Sequence, residues 1–289
     1  MIIPTKKLKT GFEMPIFGLG TWQMGGRETH DESNDDAKDI TAIQEAVALG
    51  ITHIDTAESY AEGYAETLMG QALRGYDRSK LFLVSKVHRD NLGYENVLKS
   101  CERSLKNMQT NYLDLYLIHA PSEVVPLSET LRAMDKLVED GMIKNIGVSN
   151  FKTSRLREAQ GLTKNKITVN QVYYNLVIRE PEGEGLLDYC QNNDVLLEAY
   201  RPLDKGMLLA EPRLILQQLA KKYSKTPAQI AINWLISQTN VVTIAKTSSV
   251  AHLKENLGAI GWNMEQEDIE ELRINFPHQR VRSDNLPLR

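Results

Sequence analysis

Asp55, Tyr60, Lys86 and His119 are the residues of this 289-residue chain whose types and order suggest chemistry. A tyrosine phenol can give a proton to a carbonyl oxygen, but a pKa of ~10 makes it a weak acid near neutrality. A lysine ammonium beside it would stabilise the phenolate and lower that value, and an aspartate would hold the lysine in place and charged. A histidine at the same point could hydrogen-bond the substrate oxygen and orient it. The chemistry these types fit is proton donation to a carbonyl oxygen, which needs a partner that supplies hydride, and no side chain can.

The elements that would position them follow from the pattern around each residue. Asp55 lies at the end of a short, apolar, β-branched stretch, and Tyr60 follows five residues later in a loop. LFLVSK ends on Lys86 and YLDLYLIH ends on His119. Each stretch reads as a buried strand, and the carboxyl ends of parallel strands open on one face. Adjacent strands lie about 5 Å apart, so three consecutive strand ends can bring these side chains together.

The rest of the chain supplies similar units. KLKTGFEMP predicts a β-hairpin around Thr10-Gly11, and IFGLGTW a glycine-rich strand ending at Thr21-Trp22. A polar loop over 23–39 precedes a helix marked by Ile40, Ile43 and Val47. Tyr94, Val97, Leu98, Cys101, Leu105 and Met108 recur at helical spacing. IKNIGVSN, ITVNQV, VLLEAY and VVTIAK read as four further strands, with a loop around Pro181 and a capping box at Thr226-Pro227-Ala228-Gln229. Eight strand-then-helix units joined by short loops predict an α/β fold: one (β/α)8 TIM barrel over residues 1–289, with an N-terminal hairpin. A doubly wound sheet is disfavoured because no G-x-G-x-x-G follows an early strand.

Composition is that of a globular protein, 42% hydrophobic and 25% charged, with a net charge of −4. This balance argues against nucleic acid or an anionic membrane as partner, and no apolar run approaches the ~20 residues that cross a bilayer. The N-terminal stretch lacks the order of a signal peptide, so a cytoplasmic location is expected. Cys101 and Cys190 read as reduced structural thiols. His30, His53, His88 and His278 show no metal-ligand spacing, so no metal is expected.

D-T-A-E-S-Y-A-E-G-Y-A-E-T-L-M-G, V-S-K, L-D-L-Y-L-I-H, I-G-V-S-N-F and E-A-Y-x-P-L, in that order, resemble the aldo-keto reductases nearly end to end. The resemblance implies NADPH-dependent reduction, with NADH possible, of a small aldehyde, ketone or sugar, with Tyr60 as the acid. It implies that Ser149, Asn150 and Gln171 hold the nicotinamide amide, that Tyr200 stacks on its ring, and that the 200–206 loop, with Leu203, crosses the pyrophosphate. Gly20, Thr21 and Trp22 would line the cofactor side of the first strand, with Trp22, Tyr60 and His119 facing substrate. Lys246, Thr247 and Ser248 would meet the 2′-phosphate and adenosine, and Glu255 and Asn256 the adenine.

The departures are Arg201 and Asp204, where a small residue and Gly are usual, Ala245 for Pro, and His252 where an Arg commonly grips the 2′-phosphate. Histidine lacks arginine's permanent charge and bidentate fork. The 277–289 tail, with Arg280, Arg282 and Arg289, resembles the family's variable substrate loop. A cofactor-binding regulatory module, as in the potassium-channel β-subunits, is the alternative reading, and a monomer or weak homo-oligomer is expected.

Overall fold

A computed structural model describes residues 2–284 and 286–289; Asn285, in the tail expected to approach substrate, lies outside the described residues. The chain opens with an antiparallel hairpin, β1 (Thr5–Lys7) and β2 (Glu13–Pro15), with Lys7 opposite Glu13. Then come β3 (Phe17–Gly20), α1 (Asp36–Ala48), β4 (His53–Asp55), α2 (Tyr64–Ala72), β5 (Phe82–Val87), α3 (Tyr94–Asn107), β6 (Leu115–Ile118), α4 (Leu127–Glu139), β7 (Ile146–Ser149), α5 (Thr153–Leu162) and β8 (Ile167–Tyr173). After these follow α6 (Glu180–Gly183), α7 (Leu186–Asn192), β9 (Leu196–Tyr200), α8 (Met207–Ala210), α9 (Leu214–Tyr223), α10 (Pro227–Ile236), β10 (Val241–Ala245), α11 (Val250–Leu257) and α12 (Gln266–Asn275). Strands β3 to β10 are parallel neighbours in chain order and β10 pairs with β3, closing the barrel.

The barrel interior changes character along its axis because side chains alternate in and out along each strand. Val84, Leu115, Leu117, Val169, Leu196 and Val242 form an apolar plug with Leu8, Phe12 and Met14, so the hairpin stoppers the amino end. Two residues further along the same strands the inward positions are Lys86, His119, Gln171 and Glu198. One face is thus sealed by apolar burial, and the polar groups gather at the other. The larger apolar cluster lies between the strands and the surrounding helices.

Two local expectations fail. The stretch around Pro181 is not a loop but α6, where proline sits in the first turn, the position at which its missing N–H costs nothing. α9 was unanticipated, although Ile215, Leu216, Leu219 and Ala220 fall on one buried face. The capping box at Thr226 forms as expected, with both reciprocal hydrogen bonds made.

Candidate active site

The barrel brings Asp55, Lys86, Tyr60 and His119 to one mouth. Lys86 Nζ lies 2.5 Å from Asp55 Oδ1, 2.7 Å from the Thr56 carbonyl and 3.4 Å from Tyr60 Oη. The Tyr60 ring meets Trp22 edge-on at 4.9 Å and His119 at 5.7 Å between ring centres. Ser59 Oγ is 3.4 Å from His119 Nδ1. Thr21, buried at the end of β3, donates from both its backbone N–H and its hydroxyl to the Asp55 carbonyl, which fixes the strand end that carries Asp55. Gly20 pairs directly with Asp55.

Burial sets the protonation states here. It raises the Tyr60 phenol above its ordinary value, and the opposing pull of Lys86 does not overcome it. The expected net lowering of the Tyr60 pKa is therefore not found: Lys86 acts in the expected sense, but desolvation outweighs it. The Lys86 ammonium loses solvation too, yet the Asp55 carboxylate leads a set of neighbours that raise it above the ordinary lysine value. His119 is pushed well below 6.5 by burial and by Lys86, so its imidazole is neutral.

The residues expected around a nicotinamide form one connected rim. Ser149 Oγ donates to the Gln171 carbonyl, and Asn150 Nδ2 to Ser149 Oγ and the His119 carbonyl. Tyr200 Oη donates to Asn150 Oδ1 at 2.8 Å. Asn150 reaches these partners from a left-handed backbone, φ 63°, which asparagine tolerates better than most residues. The Tyr200 ring stacks on Tyr173 at 5.5 Å, and the Arg201 guanidinium lies over both rings.

Leu203 and Asp204 continue this loop. Asp204, whose charge would be unfavourable beside a diphosphate, is buried and accepts a hydrogen bond from the Tyr173 hydroxyl. Arg201 Nη1 is buried with no hydrogen-bond partner among the described residues, which suits a segment that meets an anion.

The segment after β10 is less uniform. Lys246 and His252 are exposed, whereas Thr247 and Asn256 are buried. Thr247 Oγ1 accepts from the Ser249 N–H, and Ser249 caps α11 by accepting from the His252 N–H. Glu255 is half-buried, and its carbonyl accepts from Gln229. Ser248 Oγ donates to Asp39, a buried carboxylate that also accepts from the Gly25 N–H and from Asn34.

Sequence reasoning missed four residues of this region: Asp39, His53, Tyr173 and Glu198. Gln171 Nε2 donates to Asp55 Oδ2 at 2.9 Å and to Glu198 Oε2 at 2.7 Å. Glu198 Oε1 lies 3.3 Å from His53 Nε2, and all of these side chains are buried. His53, Asp55 and Glu198 each offer a ligand-type atom within 4.8 Å of the others, but both Asp55 oxygens already have partners, Lys86 and Gln171. Burial raises both carboxyls above their ordinary values; contact with Lys86 and the Gln171 hydrogen bond pull Asp55 back, whereas burial and then the Asp55 charge push Glu198 up to about 8. Burial and Lys86 push His53 down to about 3, so it too is neutral. A lone glutamate inside an otherwise apolar strand, VLLEAY, was the available signal for Glu198, although its partners are far away in sequence.

Comparison with known proteins bears on this geometry. The model of the aldo/keto reductase family matches residues 17–274. Glyoxal reductase from Bacillus subtilis (strain 168) is 37% identical over 279 residues, covering 96% of this chain and 94% of its own length. A thermostable aldo-keto reductase, Tm1743, solved with the inhibitor epalrestat, is 43% identical with a TM-score of 0.90, covering 93% of this chain and 98% of that one. An aldo/keto reductase from Klebsiella pneumoniae in complex with NADP and acetate is 32% identical with a TM-score of 0.85, covering all of both chains.

Proposed function

The chain belongs to the aldo/keto reductase family, and from that premise we propose that it reduces small aldehydes, with NADPH preferred and Tyr60 as the proton donor. It is an oxidoreductase that acts on carbonyl groups. The single observation that carries the site assignment is the contact series Tyr60–Lys86–Asp55 beside His119 at one barrel mouth. All four side chains being in place favours turnover over a purely regulatory role.

The residues divide the work as follows. The substrate carbonyl oxygen sits between Tyr60 Oη and the His119 ring. His119 is neutral and donates one hydrogen bond to that oxygen, while Ser59 faces its Nδ1. NADPH, held by Ser149, Asn150 and Gln171, would supply the hydride that the carbonyl carbon needs. Negative charge grows on the oxygen, and Tyr60 gives it the phenolic proton. The raised Tyr60 pKa keeps that proton present beforehand, and Lys86 at 3.4 Å stabilises the phenolate left behind until water restores the proton. Trp22, edge-on to Tyr60, walls the site against solvent.

Ser149, Asn150 and Gln171 would hold the carboxamide, Tyr200 the ring, and Leu203 with Arg201 the diphosphate. Gly20 and Thr21 support the cofactor side of β3. Lys246, Thr247 and Ser248 would meet the 2′-phosphate, Glu255 and Asn256 the adenine, and His252 flanks them. Asp39 narrows the NADPH margin because it takes the Ser248 hydroxyl hydrogen and adds a negative charge nearby. Residues 1–289 would act as one unit, monomeric or weakly self-associating, in the cytoplasm; the free thiols of buried Cys101 and Cys190 suit that compartment.

NADPH and NADH oxidation, followed by absorbance against glyoxal, an aromatic aldehyde, a simple ketone and a sugar, tests the reading. Saturable turnover is expected, with glyoxal ahead of the ketone. NADPH binding without turnover of any aldehyde would favour the regulatory alternative.

A further inference from the structure

The Gln171 side chain is held in a way that its own rim position does not require. Its amide N–H groups go to two acids, Asp55 at 2.9 Å and Glu198 at 2.7 Å. A flipped amide would set its oxygen against two carboxyl groups, so only one orientation is stable, with Oε1 turned away from both acids. Asp55 alone would leave one N–H unassigned; Glu198 accounts for it.

Glu198 is itself fixed. It is fully buried, its Oε1 faces His53 Nε2 at 3.3 Å, and neither of those atoms bonds elsewhere among the described residues. His53 in turn fits against Gly18, where an added Cβ would come within 2.4 Å of His53 Nδ1. We propose that Glu198, backed by His53, is a positioning residue that locks the Gln171 amide so that Oε1 accepts a hydrogen bond from the carboxamide NH2 of the cofactor. The inference rests on the cofactor reading above and adds a specificity: the site selects a carboxamide, a donor, over a group of similar shape without N–H.

The probe is the NADPH analogue whose carboxamide is replaced by an acetyl group, which keeps the carbonyl and loses the N–H donor. Dissociation constants for NADPH and the analogue are measured by quenching of protein fluorescence. Wild type is expected to prefer NADPH by about 3- to 10-fold, the range for one net hydrogen bond. In Glu198→Met, where Asp55 still holds one N–H, the preference should fall by about 2-fold or more, mainly through weaker NADPH binding. Glu198→Gln, whose carbonyl can still accept from Gln171 while its amide faces His53, should restore it.

Equal weakening of both cofactors in Glu198→Met would indicate a merely structural role and overturn the inference. So would an unchanged preference. If Glu198→Met does not fold, hydrogen exchange of the Gln171 side-chain NH2, read by NMR in the wild type, decides. Protection of both hydrogens without added cofactor is expected, and free exchange overturns the proposal. Failure of the wild type to bind NADPH would overturn the cofactor reading and this inference together, whereas intact binding with an unchanged preference overturns the inference alone.

Discussion

At the scale of single residues, the acidity of Tyr60 is a contest between desolvation, which raises its pKa, and the Lys86 charge, which lowers it. Lys86→Met removes the lowering influence and leaves Asp55 buried without its ion pair. Turnover should fall, and the alkaline limb of the reduction profile should move to higher pH because Tyr60 keeps its proton longer. A kcat–pH series on both proteins checks this, and an unmoved limb with normal turnover would reject the coupling. His252 is the other decisive single residue. His252→Arg places a permanent charge in the first turn of α11, just after the Lys246–Ser248 segment, and should tighten NADPH by ~1.5–3 kcal/mol, the range for a charge-assisted hydrogen bond, with little effect on NADH. Titration of both cofactors decides it, and equal tightening would mean that residue 252 does not face the phosphate. The three polar residues around Tyr60 were legible because each stands at or just beyond the end of its own strand. Asp39 was not, since it reads as the end of an acidic loop over 23–39 but lies in the first turn of α1, buried under Ser248.

At the scale of elements, the turn that carries Tyr60 is the strained part. Ala61, Glu62 and Gly63 have φ of 49°, 56° and 88°, three consecutive left-handed residues directly before α2. Each non-glycine residue there costs about 1–2 kcal/mol. The turn is held because the Ala61 and Glu62 N–H groups donate to the Arg27 and Glu28 carbonyls, so the loop before α1 braces the loop after β4. Gly63→Ala adds a third strained residue, with its Cβ 3.0 Å from Asn107 Nδ2. It should lower stability by about 1–2 kcal/mol and reduce kcat as Tyr60 shifts. Urea unfolding alongside kinetics measures both, and an unchanged midpoint would show that the turn is unstrained. The barrel strands were readable because their apolar runs are short and separated by helical periods. The strain was not, because A-E-G in sequence looks like an ordinary helix approach.

At the scale of the whole molecule, a polar layer sits on an apolar plug within one barrel, and this should appear in stability against pH. Glu198 is raised from 4.5 to about 8, so the folded state keeps a proton that the unfolded chain releases, and its contribution to stability is lost as pH rises from about 4.5 through 8. His53 is lowered from 6.5 to about 3 and works in the opposite sense, adding stability as pH rises from about 3 to 6.5. The two oppose below about 6.5; above it the Glu198 loss continues to about 8, opposed from about 7 by Lys6, which burial lowers from 10.5 to about 7. The Tm of Glu198→Gln, which cannot ionise, should therefore gain on the wild-type Tm as pH rises from about 6.5 to 8; parallel curves would mean that Glu198 is ionised throughout. The barrel, its hairpin and its chemical face could be read from chain order and alternation, but the buried network joining β4, β5, β8 and β9 depends on closure, which no local pattern reports. In the mechanism proposed, turnover depends on one proton. Tyr60→Phe keeps the ring against Trp22 and His119 and removes that proton, so single-turnover NADPH oxidation with glyoxal should slow by ~100-fold or more while NADPH affinity is retained; near-normal reduction by a variant that binds NADPH normally would contradict proton donation by Tyr60.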